Sequence, residues 1–245
     1  MLEEITEQTK GKRLLFFVLL FLLTATCYSQ NDMNKVCEKW MVYDQPINGY
    51  KIKIHWSCEN NNANKGIAYI YFIKGSKVKE LTQPIHLDEE FDKCFSFKEN
   101  DTIILNRYYD ETRQPYLDWR TIIGFADYNF DGMKELVVCG YPRPYRDNTM
   151  DDWLDCEDFT FYSETAEGFT QIQIEPFNSL SQETCRLRCE FDVNHKAIRL
   201  FSSGGACCYT STTYFFRDGL LFNSTTIRHE ELNDKVVHDT TYNSY

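Results

Sequence analysis

Sustained helical periodicity is missing from this 245-residue sequence beyond an apolar stretch near its start, so a helix-built core is excluded. No HExxH pair and no GxSxG turn occurs, which removes the usual local signatures of zinc proteases and serine hydrolases. No CxxC knuckle is present either, and the five histidines (His55, His86, His195, His229, His238) are scattered. Basic residues are scarce: 26 Lys and Arg face 37 Asp and Glu, a formal net charge of −11. An acidic surface repels phosphate backbones and anionic headgroups, so nucleic acid and lipid surfaces are poor partners, while cations and basic proteins are favoured.

What the sequence does have begins with an export-like start. Lys12 and Arg13 precede the apolar run Leu14 to Thr26, and a short polar segment follows. The run is too short to span a bilayer, which needs ~20 residues. Residues 1–29 therefore read as a signal peptide and 30–245 as a single domain, exported to the periplasm or secreted. Cys27 directly after the run opens a second route, acylation and retention at a membrane as a lipoprotein, although Thr24 and Thr26 fit a lipobox poorly.

Ten cysteines occur, nine of them past Cys27: Cys37, Cys58, Cys94, Cys139, Cys156, Cys185, Cys189, Cys207 and Cys208. In an oxidising compartment that density reads as a disulfide framework with one thiol left over. A zinc site built from Cys185, Cys189, Cys207 and Cys208 is the lesser alternative.

Strand signals dominate from residue 38 onward. In KIKIHWS, Ile52, Ile54 and Trp56 alternate with Lys51, Lys53 and His55, the pattern of a half-buried strand. GIAYIYFIK, residues 66–74, is apolar throughout and reads as a strand covered on both faces. Further strands are expected at TIILN, RTIIGFAD, ELVVCGY and DFTFYSE. CRLRCEFDV puts Leu187, Cys189, Phe191 and Val193 on one face, and Asp218-Gly219 marks a closing hairpin. KELTQPIHLDEEF reads as a place for a turn or two of helix around its proline. The fold class is all-β, many short antiparallel strands, and periodicity alone leaves sandwich, barrel and small propeller open.

The segment DYNFDGMKEL carries the chemistry. Oxygen-bearing side chains stand at loop positions one, three, five and nine (Asp127, Asn129, Asp131, Glu135), with Gly132 at six, where the chain must bend sharply. Ca2+ takes six to eight oxygens, and alternating acids on a tight turn supply them, with the Met133 carbonyl as the backbone ligand. An EF-hand would carry Glu at position twelve, where this chain has Val138 inside a strand. The alternative is an Asx-rich turn with solvated carboxylates.

DYNFDGMKEL, together with DFTFYS, an EPF segment, FDVNHKAIRLFSSGG and YFFRDGLLF, resembles the bacterial exported calcium-loop proteins related to a periplasmic lysozyme inhibitor. The likeness covers roughly residues 120–226. It implies a small β-propeller with one calcium loop (a β-sandwich being the alternative fold), and a role as an inhibitor of a lysozyme-like enzyme. Only Asp127, Asn129, Asp131 and Glu135 are carried over as site residues.

With no nucleophile and base in sight, the expected function is a non-enzymatic, calcium-stabilised binding protein whose partner is a basic lysozyme-like enzyme or another envelope enzyme. The rival is a secreted hydrolase with a structural calcium and active carboxylates in the loop at 141–158; Glu89, Glu90, Asp151, Asp152 and Asp155 are the acids from which a glycosidase pair could be drawn, against the plainer reading of solvated acidic loops. An envelope structural protein is the third reading.

Overall fold

Alternating side chains and Asn/Asp/Gly turns lead to strands joined mostly to their sequence neighbours, and the computed structural model bears this out. It describes residues 38–59, 62–87, 91, 96–97, 102–105, 115–118, 120–143, 159–181, 187–203, 208–232 and 235–245. Among them lie fifteen strands in three sheets and one short helix. The chain is all-β in its described part. None of the three sheets closes on itself, and the packing is sandwich-like.

The first sheet holds β1 (Glu38–Tyr43), β2 (Lys51–Glu59), β3 (Asn62–Lys74), β4 (Lys77–His86), β5 (Ser96–Phe97) and β6 (Ile103–Leu105), in the order β4-β3-β2-β1-β6-β5. All pairs are antiparallel except β1 with β6. Ile52, Ile54 and Trp56 of β2 are buried as their alternation requires. The Trp56 ring donates its N–H to the Ile85 carbonyl at 2.9 Å, which satisfies the one polar group that its burial would otherwise strand.

The segment around Pro84 is not helical but strand β4, at the edge of the sheet, where a residue without an N–H interrupts no inner ladder. In β3 only one face is covered: Ala68, Ile70 and Phe72 are fully buried, whereas Tyr69 is 41% exposed. The run is continuous in hydrophobicity because its second face carries aromatic and branched residues at the surface, not because another layer covers it.

The second sheet, in the order β10-β9-β8-β7, joins β7 (Ile123–Ala126), β8 (Glu135–Cys139), β9 (Phe159–Glu164) and β10 (Phe169–Gln171). Every residue of β7 and β8 is buried, so this is the layer closed on both faces. Successive strand residues point to opposite sides. On one side Phe125 meets the first sheet, its ring 6.3 Å from Phe72 and 6.1 Å from Tyr50. There the Gln83 amide also donates to Thr160 Oγ1 at 3.1 Å and accepts the Tyr162 hydroxyl. On the other side Ala126, Val137, Cys139, Phe159 and Phe161 join one apolar cluster with Phe177, Leu180, Ile198, Leu200, Tyr214 and Phe216.

That cluster is supplied from above by α1 (Phe177–Leu180) and by the third sheet. The latter is a plain meander of β11 (Leu187–Asp192), β12 (Ala197–Ser203), β13 (Cys208–Arg217), β14 (Leu220–Leu232) and β15 (Lys235–Ser244). Cys189, Phe191 and Val193 pack against the cluster, on the face their alternation indicates. Asp218 and Gly219, both at positive φ (51° and 76°), turn β13 into β14, the backbone signature of a two-residue hairpin loop whose twist matches its strands. The long β14–β15 ribbon carries no apolar alternation, so the sequence pattern does not announce it. Residues 38–245 form one compact unit.

A buried hydroxyl pins the first sheet to the second. Tyr43 Oη lies 2.8 Å from Thr121 Oγ1 and accepts the backbone N–H groups of Ile122 (3.1 Å) and Ile123 (2.9 Å). Burial pushes this phenol well above its ordinary pKa, so it stays a neutral hydroxyl.

Candidate functional site

The Asp127 to Glu135 segment is the turn of the β7–β8 hairpin, in which Ala126 pairs with Glu135. Its own alternation builds it. Tyr128 (0% exposed) and Phe130 (6%) drop into the core, while Asp127 and Asn129 are half-buried at the rim and Asp131 is exposed. The Tyr128 ring stands edge-on to Phe161 at 5.1 Å, its hydroxyl donates to the Tyr116 carbonyl at 3.1 Å, and Phe130 meets Phe216 at 5.8 Å. Two rings thus nail the loop to the apolar cluster, leaving the oxygen-bearing residues between them at the surface.

Backbone hydrogen bonds then fix the carboxylates. Asp127 accepts the N–H of Asp131 at Oδ1 (3.0 Å) and that of Gly132 at Oδ2 (2.9 Å), and Asn129 Oδ1 shares the Asp131 N–H at 3.1 Å. Asp131 Oδ1 accepts the Met133 N–H at 2.7 Å, and Asn129 Nδ2 donates to Asp131 Oδ2 at 3.2 Å. From the far end, Glu135 reaches back so that Oε2 accepts the N–H groups of Tyr128 (2.7 Å) and Asn129 (3.3 Å). The turn closes through Phe130 at φ 63° and Gly132 at φ 90°. Gly132 is free of crowding, so its requirement is the backbone angle alone.

Glu135 is a carboxylate in the wrong medium. It is 2% exposed. Burial, with added repulsion from Asp131 and Asp127, pushes its pKa up to about 7 against the pull of the two N–H groups.

Whether these residues suit a cation can be judged from the donors. All are oxygen, as a hard divalent ion requires. Asp127, Asn129 and Asp131 are brought together through shared N–H groups, Glu135 bonds the loop's opening residues, and the Met133 side chain is 68% exposed and away from the core. Both Asp127 oxygens, however, are engaged by the loop's own backbone. Among the described residues no group of three or more His, Cys, Asp or Glu is drawn close enough to hold a metal.

One contributor escaped the sequence reading. A Cβ placed on Gly219 would lie 2.8 Å from the Asp131 Cβ, so the β13–β14 turn presses directly on the loop. The Asp-Gly pair announces a hairpin, but nothing in it announces what that hairpin abuts.

No disulfide joins any of the described cysteines Cys58, Cys139, Cys189 and Cys208; the other six lie outside the described residues. Burial drives the Cys189 thiol far above its ordinary pKa, which leaves it inert. Of the zinc set, Cys185 and Cys207 fall outside the described residues, as do Glu89, Glu90, Asp151, Asp152 and Asp155. His55 is stacked on Trp40 at 4.4 Å, His86 on Tyr141 at 4.5 Å, and exposed His195 bonds Asp192 at 2.7 Å. Among the described residues no helix is long and apolar enough to cross a membrane.

No family model and no curated protein matches this chain. Among solved structures, one described as "Structure of a Xanthomonas Type IV Secretion System related protein" is similar at 15% identity, with a TM-score of 0.46, over 85% of this chain and 95% of that one. A likeness this loose assigns neither fold nor function.

Proposed function

We propose that this chain is an exported, calcium-stabilised binding protein that inhibits a basic, lysozyme-like or related envelope enzyme. The observation that carries the reading is the β7–β8 turn. It places Asp127, Asn129 and Asp131 on one rim, bends through Phe130 and Gly132 at positive φ, and buries Glu135 behind them. Asp127, Asn129, Asp131, the Met133 carbonyl and Glu135 would hold Ca2+, which supplies positive charge where a buried carboxylate lies near two others. The ion's role is structural, and the protein is not an enzyme.

The rest of the reading follows from the sequence. The net charge of −11 favours encounter with a basic partner by electrostatic steering. The apolar run before Cys27 directs export, with cleavage near residue 29 or a lipid anchor at Cys27. In that compartment disulfides form among the cysteines outside the described residues, and the three sheets stand as blades of a small, open propeller.

The experiment is retention of a basic lysozyme on a column carrying the full chain, with calcium and with a chelator, across a salt series. Salt-sensitive retention, accompanied by loss of the enzyme's activity on peptidoglycan, is expected. Flow-through at low salt in calcium overturns the inhibitor reading.

A further inference from the structure

β3 has the composition of a strand buried on both sides, yet one side is open. Ala68, Ile70 and Phe72 are fully buried. Ile67, Tyr69, Tyr71 and Ile73 alternate with them and so stand on the opposite, outer face, where Tyr69 is 41% exposed and the other three are half-buried. Continuous apolar strands belong to sheets covered twice. An uncovered apolar spine of this kind marks a contact surface.

The register sets the spine's neighbours on that face, because directly paired residues point the same way. Tyr71 pairs with Lys53 of β2 and Glu80 of β4, and Ile73 with Lys51 and Val78. All four neighbours are exposed, Val78 at 53%. Lys53 and Glu80 therefore flank the spine on opposite sides, ~10 Å apart at two strand spacings, too far to pair with each other.

Such a face is complementary to itself. When two copies meet with a two-fold axis running along β3, the spines pack together and β2 of each copy falls over β4 of the other. Each Lys53 then comes opposite a Glu80, and each Lys51 lays its methylene stem over a Val78. The first sheet also escapes the chain's overall acidity: residues 38–87 hold seven Lys against four Asp and Glu, so the net charge of −11 is carried elsewhere. The face of β1 to β4 measures roughly 20 by 30 Å at the usual strand and residue spacings, about 600 Å2 per copy, the lower end of a specific interface.

We propose that the outer face of the first sheet is the interface of a homodimer, in which a second copy of this chain covers β3 about a two-fold axis along that strand. A second copy is the occupant because base and acid stand at matching positions on either side of the apolar spine. The proposal is independent of the calcium and inhibitor readings.

The test is sedimentation velocity of the full chain over a concentration series. A monomer–dimer equilibrium that ends at the dimer mass is expected. Lys53→Glu and Glu80→Lys each set like charges opposite one another at two symmetric places, and each should weaken dimerisation roughly tenfold or more. The exchange Lys53→Glu with Glu80→Lys restores opposite charges and should return association to near the natural level. Tyr69→Ala, which removes a ring from the spine, should weaken it by about tenfold or more. Asp239→Lys in the third sheet changes the net charge as much as Glu80→Lys and should leave association unchanged. Melting curves establish that each variant is folded. A monomer at every concentration, assemblies that grow past the dimer, undiminished association in Lys53→Glu or Tyr69→Ala, or no recovery in the exchanged pair overturns the proposal.

Discussion

The middle sheet and the β14–β15 ribbon are both antiparallel β, yet they are opposite solutions to the same backbone problem. Every residue of β7 and β8 is buried, and the sheet is held by rings on both sides: Phe125 against Phe72 and Tyr50, Phe161 against Tyr128 and Phe177. The ribbon's last residues, 239–245, are all exposed, and its ladder is carried by threonine, serine and asparagine. Stability is thus concentrated where two outer layers converge, and the loop at Asp127 grows directly from that fixed centre. A cation site or a contact surface gains precision from such a foundation, because its supporting side chains cannot relax.

The largest loss is expected at Phe161. Truncation to alanine in the fully buried cluster removes contacts to Tyr128 and Phe177 and should cost ~3 to 5 kcal/mol, read as a fall in the denaturant midpoint. The same change at exposed Tyr242 should stay within about 0.5 kcal/mol. Equal losses at the two positions would mean that the middle sheet is not the centre of stability.

Tyr43→Phe comes next. It leaves the ring in place but takes away the acceptor of the Ile122 and Ile123 N–H groups, with an expected loss of ~1 to 3 kcal/mol by chemical denaturation. Smaller still, and more pointed, is the pair Gly219→Ala and Gly75→Ala. Both glycines sit at positive φ in hairpin turns, but only at 219 does a Cβ collide, with Asp131. Gly75→Ala should lose about 1 kcal/mol and leave any calcium response intact. Gly219→Ala should lose more and weaken that response. Matching behaviour would sever the proposed link between the β13–β14 turn and the loop.

Local rules made the strands legible where one face had to be buried. Ile52, Ile54 and Trp56 alternate, as do Cys189, Phe191 and Val193, and Asp218-Gly219 turns as its composition requires. Where local pattern and layer order disagree, the pattern fails. β3 is apolar throughout yet covered on one side, because coverage depends on what stands beyond the sheet. Pro84 suggested a helical turn, and only its place on an edge explains why a strand tolerates it. The β14–β15 ribbon is not legible because its run of threonine, serine and asparagine carries no hydrophobic period. At the site, the four oxygen donors could be read from spacing, but the anchoring by Tyr128 and Phe130 and the approach of Gly219 are long-range facts. The alternation of Tyr128 and Phe130 with the acids was the one available hint.

Uptake of Ca2+ by the β7–β8 turn is the proposal most open to direct measurement. Isothermal calorimetry of the full chain against calcium, repeated with Asp127→Ala, addresses it directly. The account predicts a single-site heat of binding, a higher melting temperature in calcium than in chelator, and the loss of both in the variant. No heat and no shift in the natural chain, or an undiminished response in Asp127→Ala, would contradict it.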